Sequence, residues 1–287
     1  MNPLLKKHHV LLRDNVRMDA YRRAIRAIVH PGDVVADLGT GTGVLAFEAL
    51  AAGARHVHAV EVDRTTLALA KTEAAHRGFV DRITFYGGLS QRVRPKELAD
   101  VVITETLGNF GLNENILAVL ADARKRWLKP GGRMIPTAIA LTVVPLGRKP
   151  KMGRYLQGGL VSVRLHSRDF LGAPITLPRL HLSSPRPLQG ERGAIYEANC
   201  TFIIHRPGHL TGFGGWFTVW LTPTTSFTTA PGAPATHWQQ AMLPLRVPIP
   251  VRKGQRIRFW LQIAPDHTGL HSIVSYDVAM VSPQSPG

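Results

Sequence analysis

The stretch VVADLGTGTGVLAFEA, residues 34–49, places three glycines between an apolar run typical of a buried strand and a run typical of a helix. Gly39, Gly41 and Gly43 therefore fall in the turn that joins the two elements. Glycines at such a turn let the backbone approach a ligand closely, and the helix N-terminus adds positive potential. The stretch predicts a ligand-binding turn at the carboxyl end of a parallel strand.

The spacing of these glycines favours one class of cofactor. A dinucleotide fingerprint would place its third glycine, or an alanine, at position 44, which is Val44 here. The G-x-G-x-G spacing, preceded by Asp37, suits a cofactor without a pyrophosphate and indicates S-adenosylmethionine. We expect Asp37 and the three glycines to contact this cofactor. Glu61 ends the next predicted strand, 22 residues after Gly39 (61 − 39 = 22), where a carboxylate can accept hydrogen bonds from both ribose hydroxyls. The alternative is that the glycines only form a tight turn and that Glu61 is a solvated loop residue.

Strands and helices alternate from residue 29 to residue 136, which predicts a Rossmann-like α/β domain with a parallel, doubly wound sheet. Ligands bind such sheets at the carboxyl ends of the strands. The predicted strands are DVVADL, HVHAVEV, ITFYG and ADVVITE, and the predicted helices are GVLAFEALAAGA, LALAKTEAAH and NILAVLADARKRWL, the last ending at Pro-Gly-Gly.

The pattern changes after residue 136. Helical periodicity disappears from residues 137–287, and β-type stretches between prolines and glycines predict an antiparallel β-barrel or sandwich that binds the substrate. Residues 1–28 carry apolar side chains at helical spacing and predict a helical flap over the first domain. No linker separates the halves, so we expect them to pack as one unit.

The composition limits the functional classes. The 35 Lys and Arg residues outnumber the 19 Asp and Glu residues, which gives a formal charge of +16. Such charge suggests nucleic acid, an anionic membrane or acidic substrates as partners, but the basic residues are scattered along the sequence, so nucleic-acid binding is not favoured. The single cysteine, Cys200, rules out an internal disulfide or a Cys-based metal site, and we expect no metal. No signal peptide or membrane-spanning run is apparent, so we expect a soluble cytoplasmic protein.

Residues 105–114, ETLGNFGLNE, hold two glutamates nine positions apart with no other charge between them. The residues alone favour a helix-capping role for Asn113 or Glu114, because the helical run NILAVLADA follows. The other interpretation is that Glu105 and Glu114 together bind a cationic ligand.

Four separated stretches resemble the protein arginine methyltransferase family and span nearly the whole chain. They are HHVLLRDNVRMDAY at 8–21, the glycine turn DLGTGTG with Glu61, the double-glutamate stretch ETLGNFGLNE, and FTTAPGAPATHWQQ at 227–240 with its Thr-His-Trp motif. Their order and internal spacing carry the resemblance. It implies a class I methyltransferase domain followed by a β-barrel, with S-adenosylmethionine as methyl donor and S-adenosylhomocysteine as product.

The resemblance implies that Glu105 and Glu114 clamp the guanidinium of a substrate arginine. A guanidinium is always protonated and is a poor nucleophile, so two carboxylates that localise its charge and aim one nitrogen at the methyl group supply what the reaction needs. His237 of the Thr-His-Trp motif would pair with Asp14 and help to remove the proton after transfer.

The remaining roles come from the resemblance alone. His8 and Arg17 would contact the cofactor, Arg17 through the cofactor's carboxylate, although either could be an ordinary solvated helix residue. Leu89 and Ser90 would lie beside the adenine. Three further residues would line the substrate site: Trp238, for which a core aromatic is an equal alternative, and Leu11 and Ile116, which replace two methionines of the family.

The sequence also departs from the family. No tyrosine-rich helix precedes His8, so we expect a substrate site that is either more open or closed by another segment. The replacement of the two methionines leaves symmetric and asymmetric dimethylation both open. The stretch that corresponds to the family's dimerisation arm, roughly 148–190, has weak helical periodicity and several prolines, which predicts a remodelled arm and leaves a homodimer in question.

Three functions stay open at this point. The leading one is arginine N-methylation of a protein, a peptide or free arginine; a field of +16 favours a narrow substrate range over strongly cationic tails. The second is methylation of another guanidino or amine compound in biosynthesis, and the third is a basic, catalytically weak binding homologue.

Overall fold

The computed structural model describes residues 13–148, 159–182 and 196–281. Its first part is a five-stranded parallel sheet in the order β3-β2-β1-β4-β5, which confirms the predicted Rossmann-like domain. The elements are α1 (Asn15–Ile28), β1 (Val34–Leu38), α2 (Val44–Ala51), β2 (His56–Glu61), α3 (Arg64–His76), β3 (Ile83–Gly87), β4 (Ala99–Thr104), α4 (Ile116–Arg126) and β5 (Leu128–Ile135).

The strand order brings two loops together. β1 and β4 are neighbours although two other strands separate them in the sequence, and β1 is buried at all five positions. The order therefore reverses between β1 and β4, and ligands of doubly wound sheets bind at this reversal. The glycine turn follows β1 and Glu105 follows β4, so both predicted sites meet at the same point of the sheet.

The fifth strand was missed by the sequence analysis. The helix predicted to run to Pro-Gly-Gly ends at Arg126, and β5 begins two residues later and pairs in parallel with β4. The register shifts between Ala99 and Val101, so the intervening residues of β5 form an irregularity. That irregularity accommodates the proline and glycines that the pattern identified as a turn.

The second part is antiparallel, as predicted, and its strands form two sheets. One contains seven strands with the central order β7-β13-β11-β6-β8, and the other contains three in the order β10-β14-β15. The strands are β6 (Ala138–Leu146), β7 (Val161–Val163), β8 (Ile175–Thr176), β9 (Leu180–His181), β10 (Tyr196–Ile203), β11 (Gly208–Trp220), β12 (Ser226–Thr228), β13 (Gln240–Val251), β14 (Arg256–Pro265) and β15 (Ser272–Val281).

Residues 13–28 pack firmly on the first domain. Met18, Tyr21 and Ile25 of α1 are at most 1% exposed, and the Tyr21 hydroxyl donates to the Thr104 carbonyl (3.0 Å). Burial raises the pKa of Tyr21 well above its usual range. This helix is thus part of the core, and residues 1–12 of the predicted flap lie outside the described residues.

The stretch predicted as a remodelled arm is described only at residues 148 and 159–182. That part contributes β7, β8 and β9 to the seven-stranded sheet and a single 3-10 turn, Ser167–Asp169. Among the described residues, no helix is long and apolar enough to cross a membrane.

Candidate active site

The glycine turn has the backbone conformation that its sequence predicts. Gly39, Gly41 and Gly43 have φ values of 80°, 57° and 86°, and Gly43 is the N-cap of α2. A Cβ on Gly43 would lie 2.6 Å from the Phe47 ring, so a side chain there would be strained and crowded. The backbone N–H groups of Gly39 and Thr40 both donate to the Val60 carbonyl at 2.9 Å, which ties the turn to the end of β2.

Glu61 is held against this turn. One carboxylate oxygen accepts from the Gly41 N–H (2.9 Å) and the other accepts from the Asp63 N–H (2.9 Å). Glu61 is therefore not the free, solvated loop residue of the alternative interpretation. Because each carboxylate oxygen has a second lone pair, the same group retains capacity for a diol.

Asp37 does not lie on the surface of the turn. Its side chain is fully buried and accepts from the Thr40 hydroxyl (2.6 Å), and one oxygen has no partner among the described residues. Burial raises the pKa of Asp37 to about 7. The prediction of a direct cofactor contact is corrected: a buried carboxylate behind the turn can fix Thr40 and the turn, but it is not accessible to a ligand.

Glu105 lies directly after β4, and its side chain is 12% exposed. Arg17 donates from Nη1 to Glu105 Oε2 at 2.6 Å, across 88 positions of sequence. Burial raises the pKa of Glu105, Arg17 and His237 oppose that rise, and the charge of Glu114 adds to it. The charges of Glu114 and His237 therefore both act on the Glu105 carboxylate, and the joint clamp stays a prediction.

Arg17 lies beside the loop of residues 105–114. Its guanidinium pairs with Glu105 and places Nη2 3.3 Å from Met18 Sδ, and its predicted contact with the carboxylate of the cofactor stays a prediction. Arg17 is 6% exposed, so it is not an ordinary solvated helix residue either.

Internal hydrogen bonds shape the loop that carries the two glutamates. Phe110 N–H donates to the Asn113 side chain (2.9 Å), and Gly111 N–H donates to the Gly108 carbonyl (2.8 Å). A Cβ on Gly108 would lie 2.3 Å from Asn113 Oδ1, so only glycine fits beside that amide. The helix α4 begins at Ile116 with Asn115 as N-cap, so neither Asn113 nor Glu114 caps it and the capping interpretation is wrong.

The second domain holds this loop from two sides. Asn109 donates to the Trp238 carbonyl (2.5 Å), and the Trp238 indole donates to the Leu107 carbonyl (2.7 Å). On the other side, the Asn115 side chain donates to the carbonyl of Gly269, which lies in the turn between β14 and β15 (2.7 Å). The position of the glutamates therefore depends on both domains.

Trp238 does not line an open groove. Its side chain is 2% exposed and stacks on Phe227 with ring centroids 5.6 Å apart. The substrate-contact prediction is corrected, and the core-aromatic alternative holds. Trp238 supports residues 105–114, which we call the glutamate loop, through its hydrogen bond to the Leu107 carbonyl. Ile116 is likewise fully buried at the first position of α4, so its predicted substrate contact is not found.

The predicted contact between His237 and Asp14 is present. Asp14 Oδ2 lies 2.8 Å from His237 Nδ1 and also accepts the His237 backbone N–H at 2.8 Å. The other oxygen of Asp14 caps α1 by accepting the Arg17 N–H (3.0 Å). Burial raises the pKa of Asp14, but the hydrogen bonds from His237 and Arg17 outweigh it and hold the pKa below its usual value.

The predicted adenine neighbours lie at the start of the 3-10 turn Ser90–Arg92. Leu89 is half-buried and Ser90 is 7% exposed. The Ser90 carbonyl accepts from Arg126 (2.5 Å) and from the Trp127 indole (3.3 Å), which fixes the turn against the end of α4. His8 and Leu11 lie outside the described residues.

Sequence reasoning missed one residue that joins the two predicted sites. Thr106, the residue after Glu105, packs against the glycine turn: a Cβ on Gly39 would lie 3.0 Å from Thr106 Cγ2. Its hydroxyl lies 3.2 Å from that of Thr104. The glycine turn and the glutamate loop are therefore in direct contact, which no spacing along the chain could show.

Two family models match complementary parts of the chain. Ribosomal protein L11 methyltransferase (PrmA) matches residues 22–141, and the arginine methyltransferase oligomerization subdomain matches residues 154–280. Among curated relatives, a probable histone-arginine methyltransferase CARM1 of Oryza sativa is 30% identical over 301 residues, covering 93% of this chain and 55% of the relative. Protein arginine N-methyltransferase 1 of Chlamydomonas reinhardtii is 28% identical, covering 90% of this chain and 81% of the relative. The chain spans about half the length of the CARM1-type relatives that it matches.

Solved structures share the whole fold. The PRMT1 enzyme-prozyme complex of Trypanosoma brucei with AdoHcy has a TM-score of 0.79 at 23% identity and covers 96% of this chain and 93% of its own. Protein arginine methyltransferase 10 of Arabidopsis thaliana has a TM-score of 0.73 at 22% identity, and the alignment covers 97% of this chain and 98% of that structure.

A parallel sheet whose order reverses beside a glycine turn, joined to an antiparallel β domain, is the fold of the solved arginine methyltransferase structures to which this chain is similar. Both halves match models of methyltransferases, and the relatives align over almost the whole chain. The chain belongs to the protein arginine methyltransferase family.

Proposed function

We propose that this protein is an S-adenosylmethionine-dependent N-methyltransferase that acts on the guanidinium of arginine. One observation carries the proposal: the partly exposed carboxylate of Glu105 already binds a guanidinium, that of Arg17, directly beside the glycine turn. A site that pairs with one guanidinium has the charge and geometry to bind another through its remaining lone pairs and through Glu114.

The residues of the turn fit the cofactor. Gly39, Gly41 and Gly43 form a turn with positive φ values that leaves its backbone uncovered by side chains of its own, and Glu61 presents a carboxylate beside them. When bound, S-adenosylmethionine supplies an electrophilic methyl group, which the acceptor nitrogen takes as the sulfur–carbon bond breaks to leave S-adenosylhomocysteine.

The other site residues orient the acceptor and handle its proton. Glu105 and Glu114 hold the guanidinium and draw its positive charge away from the attacking nitrogen. The His237–Asp14 pair lies near enough to Glu105 to influence the pKa of Glu105, and we assign it the proton that the methylated nitrogen releases.

Substitution of the two glutamates tests this proposal. Glu105→Gln and Glu114→Gln keep the side-chain shape but remove one negative charge each, so we expect methyl transfer from labelled S-adenosylmethionine to arginine peptides to fall at least ~100-fold. Glu73→Gln is a matched control, because Glu73 lies on the surface of α3 and pairs only with Arg77 in the described chain. Calorimetry should show unchanged cofactor binding in all three variants.

Two outcomes would contradict the proposal. Full activity of Glu105→Gln on arginine would exclude the clamp. Methylation of other guanidino or amine compounds in preference to every arginine acceptor would support the biosynthetic alternative instead.

We also propose that the protein acts in the cytoplasm on arginine in a protein or peptide and assembles as a homodimer. The match of residues 154–280 to an oligomerization subdomain supports the dimer, and the relatives named as histone-arginine methyltransferases support a protein substrate. Light scattering of the purified chain should give twice the monomer mass of 31.5 kDa.

A further inference from the structure

The positive charge of the chain is unevenly divided between its two halves. Residues 1–136 contain 20 basic and 14 acidic residues, a net +6, whereas residues 137–287 contain 15 and 5, a net +10. Within the described ranges, every ion pair of a Lys or Arg involves a basic residue of the first half. The charge of the second half is therefore not neutralised by the described acidic side chains.

Six of these unpaired cations lie at one end of the β domain, which we call the basic end. Arg206 donates to the carbonyls of Phe170 (2.9 Å) and Arg168 (2.5 Å), so it lies against the 3-10 turn of Ser167–Asp169. The turn between β13 and β14 joins the same place, because Gly254 N–H donates to the Ile204 carbonyl (2.7 Å). The basic end consists of Arg168, Arg206, Arg252, Lys253, Arg256 and Arg258, all of them exposed.

Little acidic charge opposes this cluster. Asp169 is 6% exposed and accepts the His166 N–H (3.1 Å). Among the described residues of the three-stranded sheet, the other acidic side chains are Glu197 and Asp277, which are paired in register with Gln262 and Trp260, beyond the arginines. Of the described acidic side chains, none is exposed within the basic end itself, and Asp277 lies beside Trp260 on the same face of the sheet.

One strand connects the basic end to an exposed aromatic. Arg256, Arg258 and Trp260 alternate along β14 with buried residues and therefore share the outer face of the three-stranded sheet. The neighbours of the two arginines across the sheet carry no charge. Ile203 and Val281 flank Arg256, and Thr201 and Ala279 flank Arg258. Trp260 is 36% exposed, so part of its ring faces solvent.

This surface is separate from the candidate active site. β14 begins at Arg256 and its last residue is Pro265, and the turn that follows contacts the glutamate loop through Gly269. Ten residues of antiparallel strand span about 30 Å, so the basic end lies about that far from the site.

We propose that the basic end and the outer face of β14 bind single-stranded nucleic acid. Unpaired arginines and a lysine attract phosphates, and an exposed indole on the same flat face can stack on an unpaired base. A duplex would hide its bases from Trp260, whereas a single strand presents unpaired bases at a spacing that the 6–7 Å repeat of a strand face can follow.

Binding of a fluorescently labelled 12-nucleotide oligouridine to the full chain tests the proposal by anisotropy across 50–200 mM salt. We expect Arg256→Glu/Arg258→Glu to weaken binding at least tenfold and to reduce the salt dependence, because phosphate contacts are lost. The matched control is Arg23→Glu/Arg26→Glu on the exposed face of α1, which changes the net charge equally and should alter affinity less than threefold.

Trp260→Ala should weaken oligouridine binding at least fivefold, in line with the loss of one stacked base, and Trp260→Phe should restore most of it. Binding of inorganic polyphosphate should not respond to either change. Equal effects of the two charge reversals, tighter binding of duplex or polyphosphate than of oligouridine, or unchanged affinity in Trp260→Ala would each overturn the proposal.

Discussion

Arg17 and Glu105 form the closest charge contact of the site, with 2.6 Å between Nη1 and Oε2. Both side chains are largely removed from water, and a buried carboxylate stays ionised only where a cation or hydrogen bonds offset its lost hydration. Burial raises the pKa of Glu105 and the charge of Arg17 opposes that rise. Arg17 thus favours the charged form of Glu105, which a guanidinium clamp requires.

We expect Arg17→Met to shift the pH dependence of methylation. Removal of the cation raises the pKa of Glu105 further, so the acidic limb of the kcat/KM profile should move to higher pH, and activity lost near neutrality should recover as the pH rises. Arg22→Met on the same helix removes an exposed guanidinium paired with Glu48 and should leave the profile in place. If Arg17→Met lowers kcat/KM by the same factor at every pH, Arg17 does not act through the pKa of Glu105.

The loop of residues 105–114 shows how elements of both domains fix the site. Leu107 and Phe110 are buried in the core, and a Cβ on Gly215 of β11 would lie 2.4 Å from the Phe110 ring. Trp238 closes the same loop by its hydrogen bond to the Leu107 carbonyl. The loop is therefore part of the interface between the domains.

Trp238→Phe should destabilise the fold and reduce activity together. The change keeps an aromatic ring beside Phe227 but leaves the buried Leu107 carbonyl without its donor, which costs about 1–3 kcal/mol. Urea unfolding would measure this loss. Trp216→Phe is the control, because the Trp216 ring stacks on Phe170 and its indole makes no hydrogen bond to the described residues. Equal stability of Trp238→Phe and the wild type would contradict a supporting role for the indole.

A second element, the β2–β3 pair, carries a buried histidine that makes stability depend on pH. His58 is 1% exposed, its Nε2 has no partner among the described residues, and Tyr86 lies 3.3 Å from Nδ1. Burial lowers the pKa of His58 to about 4, from an ordinary value of 6.5. The folded state therefore favours neutral imidazole, and its stability is fully present above pH 6.5 and falls as the pH drops from 6.5 toward 4.

We expect the wild type to lose about 2 kcal/mol more of its free energy of unfolding than His58→Phe does between pH 8 and pH 5. Phenylalanine retains the ring packing against Trp127 but does not titrate. Denaturant unfolding of both proteins at the two pH values gives the difference directly. Equal losses in the two proteins would show that folding does not lower the pKa of His58.

Local patterns predicted much of this fold. The alternation of strands and helices, the glycine turn and the position of Glu61 follow from short-range spacing, and all are found. β5 was missed because a proline and two glycines usually mark a turn, and their accommodation depends on pairing with β4. The positions of Trp238 and Arg17 were not predictable either, because each depends on a partner more than 80 positions away.

The whole molecule combines an acidic site with a strongly basic surround. Glu105 and Glu114 are the acidic residues of the glutamate loop, whereas the β domain alone carries a net charge of +10. The basic end lies about 30 Å from the site along β14. Its field reaches that far only at low ionic strength, since the screening length is about 30 Å at 0.01 M salt and about 8 Å at 0.15 M.

The preference among arginine acceptors should therefore depend on salt. The test compares two peptides that each contain one acceptor arginine. In the cationic peptide the flanking residues are Gly and Lys, and in the acidic peptide they are Gly and Asp. At 0.01 M salt the acidic peptide should have a KM at least fivefold lower, because the net positive field repels the cationic peptide, and at 0.15 M the ratio should fall below about twofold. The kcat values should stay within twofold of each other, because the field acts on binding before the chemical step. If the cationic peptide has the lower KM at 0.01 M salt, the local charge of the glutamate loop outweighs the field of the β domain, and substrates rich in Gly and Arg become the favoured class.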